Sequence, residues 1–268
     1  MNNSLPIGIF DSGLGGLTVL KELQHLLPNE SFIYVGDTAH VPYGNKSKDA
    51  VIRYSNNITS FLASHNVKLI VIACNTASSV AKNELQEQYK FPIIDVITPL
   101  YDHLCSYEKN TINKVGIIGT YNTINSKSYN EIIYKYDKNL KIISKACPLF
   151  VPIIEEGFHN HNVARGVCQE YLLDFNSEKI DLLVLGCTHY PIMTDTIKQV
   201  LINNISIVDS ALTTAEYVKK FIIKNQLDNQ TTTHNSTQIL VTDKAPQFKE
   251  FAQKILLSNQ LNIKAINL

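Results

Sequence analysis

The chain has 268 residues, 44% of them hydrophobic, and its 24 Lys and Arg balance 24 Asp and Glu for a net charge of zero. That length suits one or two globular domains with a full core. Neutrality leaves no electrostatic footprint for nucleic acid or an anionic membrane, and no apolar run is long enough to span a bilayer.

The first residues, MNNSLPIGIF, lack the basic segment and longer apolar core of a signal peptide, so a cytoplasmic location is expected. In chain order, Pro6–Phe10, Ser31–Val35, Leu69–Ala73 and Ile93–Val96 read as short buried strands. Lys114–Ile118, Lys141–Ser144, Leu182–Leu185, Ile205–Val208 and Gln238–Val241 read the same way. Amphipathic stretches alternate with them: Thr18–Leu27, Lys48–His65, Ala77–Gln88, Ser126–Tyr136, Ala164–Phe175, Met193–Leu201, Ala211–Lys224 and Pro246–Leu257. Short apolar strands separated by helices predict parallel α/β sheets, whose ligands sit at the carboxyl ends of the strands. Asn225–Gln238 is polar and reads as a surface loop or flexible segment.

Two segments nearly repeat each other. Lys68–Ala77 is KLIVIACNTA and Asp181–Pro191 is DLLVLGCTHYP, each an apolar run ending in a cysteine with a threonine just beyond. Ile7–Gly13 (IGIFDSG) and Val115–Tyr121 (VGIIGTY) form a second echo. Both pairs are offset by about 110 residues, which suggests two related α/β halves. The plainer alternative is that α/β units resemble one another at this level.

The five cysteines (Cys74, Cys105, Cys147, Cys168, Cys187) are odd in number and include no CxxC pair. Neither a disulfide framework nor a structural zinc site is expected. Taken singly, Cys74 is a packing residue. Asn75, Thr76 and Ala77 change that reading, because a thiol at a helix N-terminus has its anion stabilised by the dipole and free N–H groups. Cys187 has a comparable setting, with Thr188 and His189 beside it and Pro191 suited to a first helical turn. His189 is a solvated residue or a tuner of that thiol. In DSGLGG (Asp11–Gly16) the glycines allow close backbone approach, and Asp11 favours an ammonium group over a phosphate. The loop DTAHVPYG can offer the N–H groups of Tyr43 and Gly44 to a carboxylate. Glu155 and Glu156 read by default as exposed helix residues.

Five segments in order resemble the glutamate racemases: IGIFDSGLGGLTVL, GDTAHVPYG, IACNTAS, CPLFVPIIEEG and LGCTHYP. The resemblance covers most of the chain. It implies two pseudo-symmetric flavodoxin-like α/β domains with the active site between them, residues 1–97 plus 209–268 forming the first and 98–208 the second. It also implies an isomerase without cofactor or metal, a small-molecule substrate, glutamate, a role in supplying D-glutamate for peptidoglycan, and a homodimer. By the same resemblance Cys74 and Cys187 are the acid/base thiols, Cys74 facing the D-enantiomer and Cys187 the L-enantiomer. Asp11 and His189 assist them, with Glu155 as a further candidate. Asp11, Ser12, Tyr43, Gly44, Asn75, Thr76, Thr188 and His189 match substrate-binding positions. His40 stands where many relatives carry arginine. The chain starts just ahead of its first strand, so activation by a peptidoglycan precursor through an N-terminal extension is not expected.

Three rivals remain at this level. Aspartate racemases share the two-cysteine plan, though the His-Tyr-Pro continuation favours glutamate. A two-domain binding protein would need no paired thiols. A thiol hydrolase built on Cys187 and His189 leaves Cys74 unused.

Overall fold

The computed structural model describes residues 3–108, 111–202, 205–230, 236–244 and 246–268. Among the described residues, ten strands form two sheets. β1 (Ile7–Asp11), β2 (Phe32–Gly36), β3 (Leu69–Ile72) and β4 (Ile93–Asp95) lie in the first sheet. β5 (Lys114–Gly119), β6 (Lys141–Ala146), β7 (Leu182–Gly186) and β8 (Ser206–Asp209) form the second. β9 (Thr237–Val241) and β10 (Ile263–Ala265) return to the first. The orders are β10-β9-β2-β1-β3-β4 and β6-β5-β7-β8. Every pairing is parallel. Each domain therefore contains the same succession, second-first-third-fourth strand, with β3 and β7 in equivalent places.

Helices cover both faces, which is why the central strands are buried throughout and read as continuous apolar runs. α1 (Leu17–Leu26), α10 (Ser210–Lys224) and α11 (Pro246–Leu256) lie along the first sheet on one side, α2 (Lys48–Ser64) and α3 (Asn75–Gln88) on the other. Side chains alternate accordingly. Ile7, Ile9, Leu69 and Val71 join the first cluster, Phe10, Ile70 and Ile72 the second. The second sheet packs α4 (Leu100–Leu104) and α6 (Ser128–Tyr136) against Val115, Ile117 and Val184. Its other face carries α7 (Phe150–Glu155), α8 (Asn162–Glu178) and α9 (Thr194–Val200). α5 (Tyr121–Ser126) follows β5. Among the described residues no helix is long and apolar enough to cross a membrane.

All nine expected strands are present, within two residues at each end. β10, α4, α5 and α7 go beyond them. The polar segment after α10 is anchored where it is described: Leu227 is buried, its carbonyl accepts from Lys68 Nζ at 2.8 Å, and the Asn229 N–H donates to Glu30 Oε1 at 2.9 Å. Residues 231–235 of that segment lie outside the described residues.

Candidate active site

β1, β3 and β7 each end at one cavity between the sheets. Asp11 closes β1, Cys74 follows β3 and Cys187 follows β7. The cavity is about 30 Å³, room for little more than solvent. Its lining contains ten expected residues: Asp11, Ser12, Tyr43, Gly44, Cys74, Asn75, Thr76, Cys187, Thr188 and His189. Val41, Pro42, Thr120 and Val151 complete it. Glu155 stands behind His189 rather than in the wall.

Cys74 is the N-cap of α3 and is 5% exposed. The Ala77 N–H donates to its Sγ at 3.5 Å, and the thiol donates to Ser12 Oγ at 3.8 Å. Helix terminus and burial compete here, and burial wins. Desolvation, followed by the Asp11 charge, pushes the thiol up to about 12, against the opposing pull of the Ala77 and Ser12 contacts. Cys74 therefore carries its proton at neutral pH.

Cys187 departs from the expected helix-terminus setting. The chain turns through a short 3-10 segment, Tyr190–Met193, whose N-cap is His189. The polar neighbour of Cys187 is the His189 ring, with Nδ1 at 3.8 Å from Sγ. His189 is buried, and its Nε2 lies 3.0 Å from Glu155 Oε1. Burial opposes a charge on this ring, but its contacts with Cys187 and Glu155 outweigh that, lifting the imidazole to about 10. Glu155, expected to be exposed, is thus partly buried and anchors the histidine.

Asp11 is 1% exposed. Its Oδ2 accepts from the N–H groups of Gly13 and Gly16 at 2.9 and 3.0 Å, so the glycine loop serves this carboxylate instead of an external anion. Oδ1 is buried without a hydrogen-bond partner. Desolvation raises the Asp11 pKa despite the positive His189 and the loop N–H groups. A ligand ammonium would supply Oδ1 with the partner it lacks.

The loop glycines also admit the second domain. A Cβ on Gly15 would lie 2.4 Å from His189 Nδ1 and 2.6 Å from Thr188 Oγ1. Thr18 Oγ1 spans the same junction, donating within hydrogen-bond distance of the Gly15 and Thr188 carbonyls at 2.8 and 3.0 Å. On the opposite wall Tyr43 opens a 3-10 turn, Tyr43–Asn45, whose first N–H groups have no partner within the turn. Its hydroxyl donates to Asp37 Oδ2 at 2.6 Å. Burial, reinforced by the Asp37 charge, keeps that phenol protonated.

Asn75 spends its side chain on structure. Nδ2 donates to Ser210 Oγ at 3.2 Å and Oδ1 accepts from the Tyr129 hydroxyl at 2.5 Å. Thr76 Oγ1 lies 2.9 Å from Thr120 Oγ1 across the cleft. Thr120 and Asp37 were absent from the expected site. The echo of IGIFDSG in VGIIGTY carries a signal for Thr120, since it places a hydroxyl residue just past β5 as Ser12 lies just past β1. Among the described residues no group of three or more His, Cys, Asp and Glu side chains could hold a metal ion.

Comparison with known proteins matches residues 12–218 to a family model described as Asp/Glu/Hydantoin racemase. A glutamate racemase from Sulfurihydrogenibium sp. is 45% identical over 253 residues, 94% of each chain. The crystal structure of glutamate racemase from Francisella tularensis in complex with D-glutamate superposes with a TM-score of 0.91 at 37% identity, covering 99% of this chain and 98% of that one. A glutamate racemase isoform from Bacillus anthracis superposes with a TM-score of 0.94 at 32% identity, covering 100% and 99%.

Proposed function

The chain belongs to the Asp/Glu/Hydantoin racemase family of isomerases, and from that premise we propose that it interconverts L- and D-glutamate with two cysteine thiols. The observation that carries this reading is one cavity with Cys74 and Cys187 at the ends of equivalent strands.

Inversion needs a base on one face of Cα and an acid on the other. In the L-to-D direction the Cys187 thiolate takes the α-proton, and the electron pair left on carbon delocalises into the carboxylate. Cys74 then delivers its proton to the opposite face, becoming the thiolate. The reverse reaction begins from that second state. The His189 cation provides a counter-charge beside Cys187, and Glu155 holds the ring in place. The substrate ammonium pairs with Asp11 Oδ1, and its positive charge offsets the Asp11 repulsion that disfavours a Cys74 thiolate. N–H groups of Tyr43 and Gly44, with the hydroxyls of Ser12, Thr76 and Thr188, hold carboxylate oxygens as charge moves onto them. No cofactor enters this scheme. The same reading carries a cytoplasmic homodimer that supplies D-glutamate for peptidoglycan.

Optical rotation tests the substrate. Purified, reduced protein without added cofactor should carry both L- and D-glutamate to zero rotation, and leave L-aspartate unchanged. Loss of rotation with aspartate alone would replace glutamate as the substrate. Constant rotation with both, in folded protein, would remove the racemase reading.

A further inference from the structure

One side chain of the second domain grips the backbone of the first at the mouth of the cleft. Asn122, partly buried in α5, donates from Nδ2 to the Tyr43 carbonyl at 3.2 Å and to the Lys46 carbonyl at 2.9 Å. These two carbonyls bracket the Tyr43–Asn45 turn. The Tyr43 carbonyl also accepts from the Lys46 N–H at 3.0 Å, so both its lone pairs are in use. Asn122 is outside the cavity lining, whereas its neighbour Thr120 is part of it. The approach is close here, because a Cβ on Gly44 would lie 2.9 Å from Thr120 Cβ.

We propose that Asn122 is an interdomain latch that clamps the Tyr43–Gly44 turn to the second domain, holding the cleft closed and the turn's free N–H groups in position. This rests on the racemase reading, which makes those N–H groups carboxylate ligands.

Cavity size gives the latch its work. A space of about 30 Å³ is too small for an amino acid, so on the racemase reading the mouth has to widen for substrate to enter. The Tyr129 to Asn75 contact is buried and deep. The Thr76 to Thr120 contact joins two groups that line the cavity itself. Asn122 differs from both: it acts from outside the cavity, on backbone acceptors, where water can take over its partners on opening. Net of that competition, two neutral hydrogen bonds bias closure by roughly ten-fold, enough to favour the closed form without locking it. The turn is held from its own side as well, by the Tyr43 to Asp37 hydrogen bond. Removing Asn122 therefore uncouples the turn from the second domain without releasing it from the first. Asn122 is a positioning residue, and its loss should appear in substrate affinity more than in chemistry.

The test compares Asn122→Asp, which keeps the shape but turns an acceptor toward two carbonyls, with Asn122→Gln, which keeps the amide. Asn122→Ala replaces the Asp variant if that one does not fold. Racemisation from each enantiomer should show KM raised roughly ten-fold in Asn122→Asp and less in Asn122→Gln, with kcat changed far less. Amide hydrogen exchange without substrate should quicken around residues 43–46 and 120–123 of Asn122→Asp at an unchanged melting temperature. Unchanged KM and unchanged exchange in a folded variant would overturn the latch, as would a fall in kcat at constant KM. If the parent protein racemises neither enantiomer, the functional reading fails. Exchange still decides the latch, faster in the variant supporting it and unchanged overturning it.

Discussion

The two thiols occupy equivalent strand ends in different electrostatic company. Cys74 faces a carboxylate and keeps its proton, with the thiol held at about 12. Cys187 faces a cationic imidazole held at about 10. On the proposed mechanism both are obligatory, so Cys74→Ser and Cys187→Ser should each lower kcat by roughly a hundred- to ten-thousand-fold, the range typical of general acid–base groups. Full activity in either would remove the two-thiol scheme. Cys105 is exposed, and Cys105→Ser should leave activity intact. Because of that exposure, alkylation should mark Cys105 before the buried Cys74. Cys147 and Cys168 are buried away from the cavity, and their alanine variants should cost about 1–2 kcal/mol in urea denaturation with the rate preserved. Glu155→Gln removes one of the charges holding the His189 proton. The parent ring is cationic up to about pH 10, and the variant ring should deprotonate at lower pH. The alkaline limb of kcat should move down accordingly, and an unchanged limb would separate Glu155 from His189. Raised folded-state values also set the sign of stability against pH. The His189 contribution is full below its ordinary 6.5 and lost as pH rises through about 10. That of Cys74 is full below 9.0 and lost as pH rises through about 12. Melting temperature should therefore fall on the alkaline side.

At the scale of elements, the β1–α1 loop acts as a spacer of minimal thickness. Gly15→Ala would force its new methyl onto the buried His189 ring and the Thr188 hydroxyl, where the contacts would be 2.4–2.7 Å. The expected outcome is loss of activity by more than a hundred-fold with far-ultraviolet dichroism unchanged, because each sheet keeps its own core. Full activity would mean that the loop tolerates a wider spacing. Long apolar strands and amphipathic helices were legible because burial on both faces of a parallel sheet leaves a compositional mark. β10 left none: its Ile263–Ala265 segment is a short edge strand with partly exposed residues. α4, α5 and α7 span five or six residues each, too few for a helical period to register. The site was legible as residue types at strand ends. What sequence did not carry was which group faces which: that Asp11 consumes the loop N–H groups, that Asn75 is tied to Tyr129 and Ser210, and that histidine replaces a helix terminus at Cys187. Those are products of how the loops fold back on their own side chains and of packing between segments as far apart as Asn75 and Ser210.

For the molecule as a whole, repeated strand order accounts for two thiols in one cleft, since each domain delivers its third strand to the interface. The proposed boundaries leave the first domain discontinuous, with residues 209–268 returning to complete it. Lys68 secures that return. It is buried with Glu30, and its Nζ also donates to the carbonyls of Asn3 at 2.9 Å and Leu227 at 2.8 Å. Lys68→Met would leave the Glu30 carboxylate buried without its cation and should cost about 3–5 kcal/mol in urea denaturation. A double variant, Lys68→Met with Glu30→Leu, should regain most of that loss. Equal stability of the single variant and the parent would show that the returning segment is held by its apolar contacts alone.

The most direct test of the central claim is proton NMR in deuterated water of the reduced protein with L-glutamate and no added cofactor, with optical rotation followed in parallel. Two thiols on opposite faces predict that D-glutamate forms with deuterium at Cα from the first turnovers, while unreacted L-glutamate keeps its proton. D-glutamate that retains the original proton would mean a single base serving both faces, and would contradict the account.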